Sequence, residues 1–208
     1  MKTRLSLCLL VFTLCIPVTV CAQSDSLQAG KKLAALYTSL GIDFCSNGLG
    51  VSVNGTFILS NNWGGNVRFN FNAVEAKNLP DDYYDFVLFI PWGSNGLPTD
   101  KYNMLSFNMV KEFMLSTKYL RFGVEFGPSL VMAQISEFTP VENPIPFFGS
   151  NYTITMDKKN ALGLSLRGKV EAPVTRYAGV EIALFTNLNG VKSIIGMDFC
   201  LTLGLVRQ

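Results

Sequence analysis

Along much of this chain, apolar residues fall on every second position and polar or charged residues fill the gaps. Near its C-terminal end Leu162, Leu164, Leu166, Val170 and Ala172 share one parity, while Arg167, Lys169 and Glu171 share the other. The pattern restarts at Val180, Ile182 and Leu184 around Glu181. It returns at Met197, Phe199, Leu201, Leu203 and Leu205 around Asp198. A period of two is the mark of a strand with two unlike faces. The same alternation runs through Leu40–Phe44, Leu49–Leu59, Val67–Phe71, Leu105–Met109 and Leu120–Met132. The chain therefore predicts eight strands.

The connections sort into two kinds. "NNWGG", "FMLSTK" and "PVTR" are short, whereas residues 76–102 and 134–159 are rich in Pro, Gly, Asn and acids and read as long surface loops. The first and last connections each contain Asn-Gly, at Asn47-Gly48 and Asn189-Gly190, a strong short hairpin signal. Short turns on one side and longer loops on the other predict an all-β, eight-stranded antiparallel up-and-down transmembrane barrel of the outer-membrane type. Tyr37, Trp63, Phe113, Tyr119 and Tyr177 fall near the short-turn ends, the expected place for interfacial aromatics.

In that topology the greasy face meets lipid and the charged face lines the interior. Isolated charges inside a narrow barrel are costly, so they are expected to pair. One register between the fifth and sixth strands sets Arg121 opposite Glu171 and Glu125 opposite Arg167. A three-residue "VTR" turn sets Lys169 opposite Glu181, and a tight Asn189-Gly190 turn sets Glu181 beside Asp198. These seven residues form the expected lumen network. Eight strands leave an interior just wide enough for side chains to fill.

The alternation also fits a soluble periplasmic, lipocalin-like barrel that binds an apolar ligand, with the greasy face turned inward and the charges outward. In that reading Phe122, Val124, Leu164 and Ile182 line the cavity.

The start of the chain supports export. Lys2 and Arg4 precede a mostly apolar run from Leu5 to Val20, and Val20-Cys21-Ala22 offers a cleavage site. Residues 1–22 are thus expected to be a signal peptide, 23–36 a tail or short helix, and 37–208 the barrel. Of 17 basic residues, Lys2 and Arg4 lie in the signal, leaving 15 against 15 acidic ones. A neutral chain offers nucleic acid no basic excess. There are no histidines, which excludes His-based triads and imidazole acid–base chemistry and argues against an enzyme. With Cys45 and Cys200 the only cysteines past the signal, no metal cluster and no cofactor is expected. The pair sits on the first and last strands, where a seam disulfide and two small lumen residues are both open readings.

The stretches "NWGGNVRFNFNAVEAKNLPDDYY", "KYLRFGVEFGPSLV", "GLSLRGKVEAPVTRYAGVEIALFTNLN" and "LTLGLVR" resemble the small outer-membrane β-barrel proteins of Bacteroidetes-type Gram-negative bacteria. The resemblance implies an eight-stranded barrel located in the outer membrane. The expected function is that of a non-enzymatic integral outer-membrane protein, with membrane lipid as its surroundings. Tyr83, Trp92, Phe147 and Phe148, aromatics among the prolines of the long loops, are the candidates to contact a glycan, a peptide or a neighbouring membrane protein.

Overall fold

A computed structural model describes residues 33–83, 85–86, 98–114, 120–142 and 149–206. Its elements are β1 (Leu33–Cys45), β2 (Gly48–Leu59), β3 (Trp63–Glu75), β4 (Asp85–Phe86), β5 (Thr99–Met114), β6 (Arg121–Pro140), β7 (Gly149–Ser150), β8 (Tyr152–Pro173), β9 (Ala178–Asn189) and β10 (Ile194–Leu205). Eight of these close into a barrel in the order β1-β10-β9-β8-β6-β5-β3-β2, each antiparallel to its neighbours. The pair β4 and β7 forms a separate two-stranded piece beside the barrel's loop end. Closure leaves no strand edge along the barrel wall.

The apolar parity faces outward on every wall strand. Leu40, Val51, Phe71, Phe107, Phe126, Leu164, Ile182 and Leu201 are all exposed, while the alternate residues are buried inside. Phe122, Val124, Leu164 and Ile182 belong to this outer face, which removes them from any interior ligand cavity. The lipocalin-like alternative required the opposite orientation.

Two strands run well past the rest. β6 and β8 pair from Arg121↔Glu171 up to Pro140↔Tyr152, but β8 meets β9 only from Gly163 onward. Residues 134–140 and 152–159, expected as loop, are therefore the paired arms of a hairpin standing above the wall. Their β-branched Thr153, Ile154 and Thr155 suit extended backbone even without a deep core behind them. Likewise β5 starts at Thr99 and β1 at Leu33, so residues 99–102 and 33–36 are strand rather than loop or tail. The signal peptide and residues 23–32 lie outside the described residues.

A small aromatic cluster holds the arm to the loop that follows β3. Tyr83 packs on Phe138 and Tyr152, and the Tyr152 hydroxyl donates to Asp82 Oδ1 at 2.8 Å. Asn151 Nδ2 donates to the Asp82 carbonyl at 2.7 Å. Beneath it the buried Asp100 accepts the Ser136 N–H at 2.8 Å and the Lys77 N–H at 3.2 Å, tying both long connections to the rim. Asp100→Ala strands two backbone donors. The expected cost is about 1–3 kcal/mol, read as faster hydrogen exchange at the Ser136 amide and earlier proteolytic cutting of the arm.

Candidate functional site

The inward-facing residues stack in three levels. At the loop end Val74, Tyr102, Met104, Val131, Ala133, Phe185 and Ile194 form an apolar cluster. At the short-turn end Ala35, Tyr37, Ile58, Val110 and Val206 form another. Between them lies a polar layer. One side of it is a neutral ladder, in which Asn108 Nδ2 donates to Asn66 Oδ1 and Asn66 Nδ2 to Thr56 Oγ1. The rest is ionic.

Arg167 is its centre. Its guanidinium reaches Glu125 Oε1 at 3.1 Å, both Asp198 oxygens at 3.0 and 3.1 Å, and Glu181 Oε1. Lys169 lies among four carboxylates: Glu125 at 3.1 Å, Glu181 at 3.4 Å, Glu171 at 3.9 Å and Glu112 at 4.0 Å. It also donates to the Tyr37 hydroxyl at 2.7 Å, which in turn donates to Glu171 Oε2 at 2.7 Å. Arg68 bridges Asp43 at 3.2 Å and Asp198 at 2.5 Å, with Asn70 Nδ2 donating to Asp43 Oδ2 at 2.6 Å. Arg121 lies lower, 3.8 Å from Glu112. Long side chains of this kind need room. Gly123 supplies it, since a Cβ there would lie 2.8 Å from Lys169 Cε.

All seven charges expected in the lumen are inward; Glu125–Arg167 and Lys169–Glu181 form as ion pairs, whereas the Arg121–Glu171 pair does not and the β8–β9 and β9–β10 registers differ. Arg121 and Glu171 are register neighbours, as are Glu125 and Arg167. Only the second couple is an ion pair; Arg121 turns to Glu112 and Glu171 to Tyr37. The β8–β9 turn centres on Arg176, with Thr175 Oγ1 accepting the Tyr177 and Ala178 N–H groups, so Glu171 rather than Lys169 stands opposite Glu181. The Asn189 side chain caps its turn instead of sitting in it, accepting from the Val191 and Lys192 N–H groups. That moves the register on, and Glu181 faces Cys200 while Asp198 faces Ala183. The two carboxylates still converge diagonally, both on Arg167. With Cys200 they bring ligand atoms within 4.8 Å of one another, but both carboxylates are already paired, Asp198 with Arg68 and Arg167 and Glu181 with Arg167.

Asp43, Arg68, Glu112 and Tyr37 are additions to the expected network. Asp43 and Arg68 were visible as lone charges in the polar slots of their strands, whereas Glu112 follows Lys111 beyond the predicted end of its strand. Tyr37 was expected at the interface, but its parity on β1 points it inward, where it is fully buried. Trp63, Phe113 and Tyr177 do lie exposed at the short-turn end, Trp63 beneath the Lys111 ammonium at 4.9 Å. Among the loop aromatics Tyr83 packs in the arm cluster described above; Trp92, Phe147 and Phe148 lie outside the described residues, as does Tyr119.

The seam cysteines are free. Cys45 pairs with Gly196 and Cys200 with Gly41, four positions apart along β1, about 13 Å and too far for a disulfide. The absent side chain at Gly41 is what admits Cys200: a Cβ there would collide with its Sγ and lie 3.0 Å from Ser52 Oγ. Gly41→Ala is expected to lower stability by about 1–3 kcal/mol. Adding Cys200→Ala should recover most of that loss in the urea midpoint.

With the geometry in place, comparison with solved structures becomes informative. No family model and no curated protein matches the sequence. Among solved structures the chain is similar to the N-terminal β-barrel domain of Pseudomonas aeruginosa OprF, at 9% identity and TM-score 0.50, over 83% of this chain and 98% of that one. The fold is an eight-stranded outer-membrane-type barrel. Further neighbours of this barrel are Neisserial surface protein A, at 11% identity and TM-score 0.47 over 84% of this chain and 97% of that one, and Ail of Yersinia pestis, at 8% identity and TM-score 0.44 over 85% and 98%. At such identities the likeness speaks for the barrel's architecture alone.

Proposed function

We propose that this chain is an integral outer-membrane protein of the Bacteroidetes-type class its strand phrasing resembles, non-enzymatic, with a filled and salt-bridged lumen. The barrel serves as an anchor that holds the β6–β8 arm and the long connections out as a recognition surface. The observation that carries this reading is the sandwich inside the barrel, an ionic layer closed at both ends by apolar clusters, set against a wall whose outer face is apolar along its middle. Water and ions crossing such a lumen would have to break buried ion pairs, each expensive to disrupt singly. Recognition then falls to the arm and its neighbouring loops, where a glycan, a peptide or another membrane protein would meet side chains held by Asp82, Asp100 and Tyr152.

Membrane fractionation followed by gel mobility with and without boiling tests the anchor reading. The expected result is membrane association and a heat-sensitive shift. In planar bilayers the folded protein is expected to give no steady conductance. A soluble protein without a shift overturns the membrane location, and sustained ion currents overturn the closed lumen.

A further inference from the structure

The outer face is not uniform where it meets the loop end. On β1, β2, β9 and β10, apolar residues run right up to the turns, with Phe44, Leu49, Leu188 and Ile195 exposed there. On β5, β6 and β8 they stop earlier. Leu105, Leu130 and Leu162 form one row across the three strands, and Leu162 is 81% exposed. One step higher stand Asn103, Met132 and Asn160, and above them Lys101, Gln134 and Lys158. Within two rows, about 7 Å each way along paired strands, the surface passes from leucine to carboxamide to ammonium.

Both lysines are exposed, and they flank Gln134 from adjacent strands, about 10 Å apart across two strand spacings. Among the described residues neither forms an ion pair or a side-chain hydrogen bond. Other lysines are occupied: Lys159 is 3.1 Å from Asp157, and Lys111 lies over Trp63. Glu75, two places above Lys101 on the same face, makes no bridge to it, and the adjacent acids lie on the other face, Asp100 holding two backbone N–H groups and Asp157 paired with Lys159. Lysines and carboxamides thus present unspent donors directly above a greasy row.

We propose that this face is a binding site for a phosphorylated glycolipid of the outer leaflet. The acyl chains would lie on the leucine row, the sugar against Asn103 and Asn160, and the phosphate between Lys101 and Lys158. The inference rests on the outer-membrane reading. A single phosphate reached by both ammonium groups gains roughly 1 kcal/mol from each near a membrane surface. An apolar row beneath adds the lipid's own chains, which a free phosphate lacks.

The test uses the full chain folded into phosphatidylcholine nanodiscs that contain either a bis-phosphorylated glucosamine lipid or its dephosphorylated form. After release into detergent, native mass spectrometry counts the glycolipid that stays bound. Wild type is expected to retain the phosphorylated form selectively. Retention should fall about thirty-fold in K101Q/K158Q and remain unchanged in K111Q, at the opposite rim. A folded, heat-modifiable barrel that holds both lipids equally, or a double variant that binds as wild type does, overturns the site alone. A chain that never enters the discs overturns the membrane reading, and the site with it.

Discussion

Replacing Arg167 with methionine is expected to cost the barrel about 3–5 kcal/mol, the largest loss any single substitution in this chain should give. The reason is less the hydrogen bonds that vanish than the charges left behind. Arg167 is the common partner of Glu125, Glu181 and Asp198, all wholly buried. Methionine fills much of the same volume, so cavity formation contributes little. Three carboxylates would then share Lys169 and Arg68, in a space that water does not reach. Urea unfolding from lipid vesicles, followed by the heat-sensitive gel shift, measures the effect. The companion R167M/E181Q should regain a substantial part of the loss, because it removes one stranded charge. If R167M instead costs under about 1 kcal/mol, the lumen is wet enough to screen its charges and the closed interior is wrong.

Arginine introduced on the outer face should be penalised according to height. Leu166 faces outward near the middle of the wall, paired with Phe126, whereas Leu162 sits near the loop end beside Leu130. In a bilayer, Leu166→Arg is expected to cost about 2–4 kcal/mol, and Leu162→Arg about 0–1 kcal/mol because its guanidinium can reach the headgroups. The gradient is the informative quantity. A face that met water would tolerate both changes equally, so two flat results would place the protein outside the membrane.

The wall of the barrel was legible because burial by lipid and burial by the lumen impose opposite chemistry on adjacent positions. Parity alone set Leu164 and Ile182 on one face and Arg167 on the other, while which face turned inward was decided by the closed barrel. Turn centres were not legible to one residue. Asn189 reads as part of a tight turn, yet its side chain caps the loop from outside. Thr175 does comparable work before Tyr177, and a one-residue shift of either turn changes which charges stand opposite. Long side chains softened the consequence: Lys169 finds Glu181 diagonally at 3.4 Å even though the two are not register partners. The arm was missed for a different reason. Above the wall neither face of β6 or β8 is fully covered, so alternation fades, and Glu137, Asp157 and Lys158 read as loop.

Asp198 sits on the last strand and touches Arg68 from the third and Arg167 from the sixth of the eight wall strands. Its partners are fixed to parts of the wall laid down long before it. Until β10 docks between β9 and β1, Arg68 lacks one carboxylate, Arg167 lacks two oxygens, and the interior stays open along one side. Assembly therefore has a latch at its final step. A chain halted one strand short would keep Asp43 on Arg68 and Glu125 and Glu181 on Arg167, but would leave that ionic layer open along the gap between β9 and β1, so docking of β10 should be the step that commits the fold.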